Sequence, residues 1–186
     1  GVVMNLYRAI AAKKSGVLTS VGLGTYADPR VEGCKINGKA RAQGREVVRL
    51  LELDGKAQLF YPAFPINICF IRGSYADEQG NISVEREALT GAELEIAAAT
   101  RNSGGIVVVQ VERIVEGGSL HPRRVRIHRS LVDYVVEAPA GQSYAAAYRP
   151  ELDGTVRCPV DALEPMDLTV RKVIARRAAM ELREGC

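Results

Sequence analysis

Two stretches of this chain hold residues suited to binding or transforming a ligand. The first is the stretch Gly22 to Asn37, GLGTYADPRVEGCKIN. It has no amphipathic period and follows the strand-forming residues Val17, Leu18 and Val21, so the chain is expected to leave a buried element and enter a long irregular loop. Loops of that length in compact domains are functional or disordered. Gly22 and Gly24 permit positive φ and the close approach of a backbone or ligand, while Pro29 restricts Asp28 to extended or turn conformations. That composition suits a shaped loop, although an ordinary surface excursion satisfies the same loop physics. The second place is a basic run of Arg123, Arg124, Arg126 and Arg129 with His128. Strand alternation would set Arg124, Arg126 and His128 on one face, opposite Val125 and Ile127, as a positive stripe able to hold phosphate. A solvated or intersubunit face is the preferred reading, because such clusters often pair with acids elsewhere.

Other chemistries find little support. His121, followed by Pro122, and His128 have no nucleophile beside them in sequence and read as structural or surface groups rather than as acid or base. There is no GxSxG, HExxH or Walker A pattern. Gly22-Leu23-Gly24 lacks the third glycine of a dinucleotide fingerprint and runs into an acidic-proline stretch where a helix should begin, so that reading is rejected. The four cysteines, Cys34, Cys69, Cys158 and Cys186, have no CxxC spacing and are accompanied by only two histidines. Neither a metal site nor a disulfide framework is expected, and reduced thiols point to a cytoplasmic setting. A net charge of +3 demands no polyanion, and with 5% aromatic residues the basic run lacks the pattern of a nucleic-acid reader. No apolar run approaches the ~18 residues of a membrane span, and the first residues lack the charged, apolar and cleavage regions of a signal peptide, so no membrane partner is expected.

The elements that must position these residues read as α/β. VVMNLYRAIAAKK places Val3, Leu6 and Ile10, with Val2 at the margin, on one side at helical spacing, with Lys13 and Lys14 in its last turn and Ser15-Gly16 as its stop. VLTSV follows as a strand. EVVRLLEL and AQLFYPA, separated by Asp54-Gly55, predict an antiparallel hairpin. INICFIRG is a continuous apolar run read as a buried strand, ending in the polar turn Ala76 to Asn81. GAELEIAAATRNSGG predicts a helix with Ala92, Ile96 and Ala99 on one face and Asn102 and Gly104 as terminators. IVVVQVERIV then completes a βαβ unit, with Val107, Val109 and Val111 facing one layer, Ile106, Val108 and Gln110 the other, and both faces mostly covered. RRVRIHRSLVDYVVEAP gives a further strand region, and from Ala138 to Pro165 Gly, Pro and polar residues predict an extended interdomain linker. At 186 residues and 47% hydrophobic, the chain can bury one core, or one core and part of a second.

Several blocks, taken in order, resemble the family I CoA-transferases. These are GVVMNLYRAIAAKKSGVLTSVGLGTYADPRVEGCKIN, LFYPAFPINICFIRGSYADEQGNISVE, NSGGIVVVQVERIV and GSLHPRRVRI. The likeness is to the fused single-chain branch that contains propionate and acetate CoA-transferases, and it covers essentially the whole chain. It implies a mixed, largely parallel sheet with flanking helices in an incomplete CoA-transferase (NagB/RpiA-like) fold. LTVRKVIARRAAMELREGC resembles the opening helix of the family's second half. The resemblance therefore implies an internal fragment: residues 1–150 as the later part of the first domain, 151–166 as interdomain linker, and 167–186 as the first helix of a second domain. Val173, Ile174, Ala178 and Leu182 would then lack the core that covers them.

The function implied is transfer of CoA between a short-chain acyl-CoA and a carboxylic acid. Coenzyme A serves as substrate, no metal is needed, and the missing second domain and a homo-oligomer are the expected partners. In this family a glutamate attacks the thioester, the released thiolate attacks the resulting anhydride, and a glutamyl-CoA passes CoA to the acceptor. Glu85, Glu87, Glu93, Glu95 and Glu112 are present, but none sits in the family's nucleophile motif, so no catalytic residue is assigned within this chain. Gly22, Gly24 and Thr25 occupy the family's first-half loop near the active site and are expected to be substrate-proximal, forming one wall of the acyl pocket. In a CoA enzyme the anion for the basic stripe would be the coenzyme's nucleotide end. Two departures stand out: Cys34 replaces a glycine of the family's Gly-Gly-Lys, and a Pro-Gly usual near His128-Arg129 is absent. The competing reading is a noncatalytic α/β binding or assembly module.

Overall fold

Amphipathic spacing and glycine placement account for most of the architecture. In the computed structural model, which describes residues 1–138, 149–157, 159–162 and 164–185, helix α1 (Val2–Ala11) buries Leu6, Ala9 and Ile10. Val2 packs at the edge of this core, whereas Val3, expected beside Leu6 and Ile10, is 59% exposed. The helix ends before Lys13, which takes φ +54°. Gly16 is therefore not the helix stop but the first residue of β1 (Gly16–Thr19), where a Cβ would lie 2.2 Å from the Tyr61 carbonyl oxygen.

A short helix α2 (Gly38–Gln43), not anticipated from the sequence, follows the Gly22–Asn37 loop and is capped by the Asn37 side chain, which accepts from the Ala40 N–H at 2.8 Å. Strands β2 (Arg49–Leu53) and β3 (Lys56–Pro62) form the expected hairpin, with β1 on the other side of β3, giving an antiparallel sheet in the order β1-β3-β2. Asp54 and Gly55 both take positive φ, +51° and +71°, as a two-residue hairpin turn requires.

The βαβ unit is present. Strand β4 (Ile68–Arg72) pairs in parallel with β7 (Ile106–Val111), and α3 (Glu93–Asn102) lies between them in sequence. Between β4 and α3 the chain makes β5 (Tyr75–Asp77) and β6 (Ile82–Ser83); after β7 come β8 (Arg113–Val115), β9 (Val125–Ile127) and β10 (Tyr134–Glu137). The central sheet is β10-β7-β4, all parallel, and a third, mixed sheet runs β8-β5-β6-β9. The mixed α/β architecture is as expected, with its parallel pairing confined to the central sheet and the β5–β8 pair.

Val107, Val109 and Val111 are fully buried with Cys69, Ile71, Ala76, Ile82 and Ile127 in one core. The opposite face of the central sheet is largely open among the described residues: Phe70 is 75% exposed, and Ile68, Ile106, Tyr134 and Val136 are also exposed, while Arg72 is held by Glu87. The expectation that β4 is a buried strand and β7 covered on both faces is thus corrected. Alternation sends Cys69 and Ile71 inward and Ile68 and Phe70 outward, and only the inward face meets α3 and the third sheet.

Helix α3 terminates at Asn102, with Gly104 at φ +75°, as its sequence predicts. However, it buries Ala97, Ala99 and Thr100 rather than the expected face of Ala92, Ile96 and Ala99, because Ala92 is its N-cap and Ile96 is only partly buried. It bridges two cores, since Ala97 belongs to the sheet core while Ala99 packs with Leu6, Ile10, Val48, Leu59 and Tyr61. Arg8 of α1 reaches Glu95 of α3 at 2.9 Å, fixing the two helices side by side. Farther on, α4 (Pro150–Asp153) is a single helical turn within the stretch expected to be extended. Helix α5 (Val170–Ala179) buries no residue, and Val173, Ile174 and Leu182 are exposed as anticipated. No helix among the described residues is long and apolar enough to cross a membrane.

Candidate functional site

The Gly22–Asn37 loop is a run of tight turns organised by one carboxylate. Asp28 is buried, with 1% of its surface exposed. Its Oδ2 accepts the Gly24 N–H at 2.9 Å and its Oδ1 the Arg30 N–H at 3.0 Å. The Arg30 guanidinium donates to both oxygens, at 2.6 Å to Oδ2 and 3.0 Å to Oδ1. The Asp28 carbonyl accepts from Val31, Glu32 and Gly33 at 2.9, 3.1 and 3.0 Å. The guanidinium foremost, followed by the Gly24 and Arg30 N–H groups, holds the Asp28 carboxyl well below the usual carboxylate range. Thr25 closes the turn before it, donating from Oγ1 to the Gly22 carbonyl at 2.7 Å.

This loop faces α1 and the end of β3 across a cleft of about 1030 Å³. Val3 and Leu6 come from α1; Gly22, Thr25 and Cys34 come from the loop; Val47 and Tyr61 through Phe64 close the remainder. The walls are largely apolar. Tyr61 anchors the loop by donating its hydroxyl to the Val21 carbonyl at 3.0 Å, and burial raises the phenol above its ordinary range. Gly22 takes φ +104°, and a Cβ there would stand 2.5 Å from the Tyr61 hydroxyl. Only glycine lets the loop lie against that phenol.

Of the residues expected near a substrate, the fold brings Gly22 and Thr25 into the cleft wall. Gly24 stands beside it, with its N–H engaged by Asp28 and open space where a Cβ would be. Cys34 also lines the cleft, at φ +65°. It thus keeps a left-handed conformation natural to glycine, with its N–H donated to the Tyr26 carbonyl at 2.9 Å. Burial raises its thiol pKa, so the group packs protonated rather than serving as a ready nucleophile. A left-handed non-glycine residue costs about 1–2 kcal/mol. Cys34→Gly is therefore expected to raise stability by about 1 kcal/mol after the lost side-chain packing is subtracted, a gain of about 2–4 °C in Tm by calorimetry. An unchanged or lower Tm would mean that the thiol's packing outweighs the backbone strain.

The basic run does not form the expected stripe. Strand β9 is only three residues long; Arg123 and Arg124 lie on a preceding 3₁₀ turn, Pro122–Arg124. His121 and His128 each cap a 3₁₀ turn, their Nδ1 atoms accepting the N–H of Arg123 and of Ser130, both at 3.2 Å. Arg129 turns away to donate to Gln79 at 3.1 Å. Arg123, Arg124 and Arg126 instead line a second, polar pocket of about 640 Å³.

The sequence reading missed Asp28 as an organiser and Tyr61 and Val47 as cleft residues. Asp28 had a readable signal, an Asp two residues before an arginine and four after a glycine in a turn-rich stretch. Val47 and Tyr61 had none, because they enter from a hairpin whose placement against α1 is a tertiary fact. Cys158 and Cys186 lie outside the described residues; Cys34 and Cys69 are free.

Comparison with known proteins bears on this geometry. The family model described as Coenzyme A transferase matches residues 1–138, which include the whole cleft. The chain is 46% identical to a caffeate CoA-transferase from Acetobacterium woodii, with 100% of the chain and 36% of that protein covered. It is 37% identical to the acetate CoA-transferase YdiF of Escherichia coli O157:H7, with 100% of the chain and 35% of that protein covered. It thus spans about a third of the length of the curated relatives it matches. A crystal structure of the E. coli O157:H7 acyl-CoA transferase YdiF as a thioester complex with CoA superposes with a TM-score of 0.79 at 37% identity, over 98% of this chain and 34% of that one. Glutaconate coenzyme A-transferase from Acidaminococcus fermentans, 18% identical with a TM-score of 0.60 over 76% of this chain and 44% of that one, shares the fold.

Proposed function

Because the chain belongs to the coenzyme A transferase family, we propose that it serves an enzyme moving CoA between a short-chain acyl-CoA and a carboxylic acid, and that the apolar cleft seats the acyl group. The observation that carries this reading is the cleft itself. The family-matched segment folds a shaped loop, Gly22 to Cys34, over about 1030 Å³ of largely apolar space. Such a wall binds and orients a hydrocarbon chain without reacting with it.

In this reading the attacking glutamate lies beyond residues 1–186. Glu46 lines the cleft, and the glutamates weighed as nucleophiles from the sequence are engaged or lie elsewhere: Glu87 accepts both its hydrogen bonds from Arg72 at 2.9 Å, Glu95 is held by Arg8, and Glu112 pairs with Arg86. Glu93 accepts the Gly91 N–H, and Glu85 lines the polar pocket rather than the cleft. A carboxylate locked to a guanidinium is a weakened nucleophile. Residues 1–150 act in this proposal as part of the first domain, 151–166 as the connection, and 167–186 as the start of a second domain that covers the apolar residues of α5. The acetate and caffeate transferases among its relatives support a carboxylic acid as acceptor.

The test is a transfer assay on the full-length protein, with acetyl-CoA or propionyl-CoA as donor and a different short carboxylate as acceptor. New acyl-CoA is expected with ping-pong kinetics, because the reaction passes through a covalent enzyme intermediate. Thioester hydrolysis without formation of a new acyl-CoA would refute the proposal.

A further inference from the structure

The polar pocket beside β9 is separate from the cleft. Its lining includes Arg123, Arg124 and Arg126 together with Glu85, Glu87 and Asp153. One of these acids is fully matched and a second shares its partner. Glu87 takes a bidentate bond from Arg72, and Asp153 faces at 3.7 Å the Arg86 guanidinium that also pairs with Glu112. Glu95, close enough to feel the charge of Arg126, is itself held by Arg8 at 2.9 Å. No ion pair among the described residues includes Arg123, Arg124 or Arg126. Arg86 is shared between Asp153 and Glu112, so five guanidinium groups, those of Arg72, Arg86, Arg123, Arg124 and Arg126, stand against the four carboxylates of Glu85, Glu87, Glu112 and Asp153, an excess of about one positive charge that suits an anion such as phosphate.

Three buried atoms of residues lining this pocket also lack hydrogen-bond partners among the described residues, Nε of Arg126, Oε2 of Glu85 and Oδ2 of Asp153. Buried polar atoms are rarely left so, and an orphan donor with two orphan acceptors lining one pocket mark a place where a bound molecule completes the bonding. At about 640 Å³ the pocket exceeds a bare phosphate and accommodates a phosphorylated small molecule. We propose that Arg123, Arg124 and Arg126 bind the phosphate of such a molecule, and that Glu85 accepts a hydrogen bond from a hydroxyl or amino group on the remainder of it. The phosphate can come from the nucleotide end of coenzyme A, a source that rests on the transferase reading, or from an independent phosphorylated compound. The pocket itself does not depend on that reading.

Titration calorimetry on the full-length protein at low ionic strength, with adenosine 3′,5′-bisphosphate, inorganic phosphate and unphosphorylated adenosine as probes, tests this directly. The bisphosphate is expected to bind and adenosine not to. Arg124→Gln and Arg126→Gln should each weaken binding about tenfold or more, as loss of a charge-assisted hydrogen bond does. Arg123 and Arg124 are exposed, so Arg123→Gln and Arg124→Gln keep the test valid should Arg126→Gln fail to fold. Glu85→Gln, which removes the opposing charge, should tighten binding of inorganic phosphate severalfold. Bisphosphate binding much tighter than phosphate identifies a nucleotide as the source; equal affinities identify the phosphate group alone, and either supports the site. Failure of both phosphate probes to bind, or affinities unchanged in the arginine variants, overturns it. Because these measurements read binding and not turnover, a negative transfer assay leaves them interpretable.

Discussion

Gly22→Ala is expected to lower stability by about 2–5 kcal/mol, the largest loss of any single substitution in the cleft. Two independent terms add. The backbone at φ +104° is one that residues with a Cβ rarely adopt, a penalty of about 1–2 kcal/mol or more. The new methyl group would also stand 2.5 Å from the Tyr61 hydroxyl, 3.2 Å from Leu59 and 3.3 Å from Ala27. Leu59 and Ala27 are buried, so relief requires Tyr61 to move and release the Val21 carbonyl. Overpacking of this kind costs about 1–3 kcal/mol. For a chain of this size the sum is a fall of about 5–15 °C in Tm, readable by calorimetry. Gly24→Ala is the internal control. A Cβ there meets open space, so only the strain at φ +72° remains, and the loss should stay near 1–2 kcal/mol. Equal losses at the two positions would contradict the account of the loop as packed at Gly22 and free at Gly24.

Asp28→Ala is expected to damage function most without touching a ligand. Removing the carboxylate leaves the N–H groups of Gly24 and Arg30 without their acceptor and frees the Arg30 side chain. The turns that hold Gly22 and Thr25 in the cleft wall then lose their anchor. A displacement of about 1 Å in a substrate-positioning element typically costs on the order of a hundredfold in rate, and kcat/KM for CoA transfer should fall by about that factor. The charge matters too. Because the fold depresses the carboxyl, its stabilisation is fully present above the ordinary carboxylate value of ~4 and is lost as pH falls below it. The wild type should therefore lose Tm on acidification below about pH 4, and Asp28→Asn, which retains one acceptor oxygen, should show a flatter profile over that range. A parallel pH profile in Asp28→Asn would show that another group governs acid lability.

Much of the scaffold was legible in the sequence because local chemistry and the fold agree. The periodicity of α1 and α3, the turn at Asp54-Gly55 and the alternation of Val107, Val109 and Val111 each correspond to a described element. Helix α2 was not legible, since six residues give too little period to detect and its main signal is the single cap of Asn37. The apolar run of β4 reads as a buried strand because such a run does not say which of its faces finds a neighbour. Phe70 lies on its exposed face.

The candidate site was legible in part. Gly22 and Gly24 stood out from a composition that implied a shaped loop, and Thr25 from the family resemblance; Gly22 and Thr25 line the cleft, and Gly24 stands beside it. The cleft is assembled from segments around residues 2–6, 21–34, 46–47 and 61–64, and no pattern within one segment discloses the others. The arginine stripe failed for a geometric reason. A 3₁₀ turn precedes β9, so strand alternation does not extend to Arg124, and His128 leaves the pocket to cap the next turn.

If the cleft holds the acyl chain, enlarging Val47 must be felt by the substrate. This residue is half exposed on the cleft wall and makes no anchoring contact with the loop. Val47→Trp in the full-length protein should leave Tm within a few degrees of wild type while narrowing the space for long chains. The measurement is the ratio of kcat/KM for acetyl-CoA to that for hexanoyl-CoA in both proteins. The tryptophan should raise this ratio by about tenfold or more, the scale on which a pocket discriminates by methylene count. A ratio unchanged in a folded, active variant would place the acyl chain elsewhere and contradict the account.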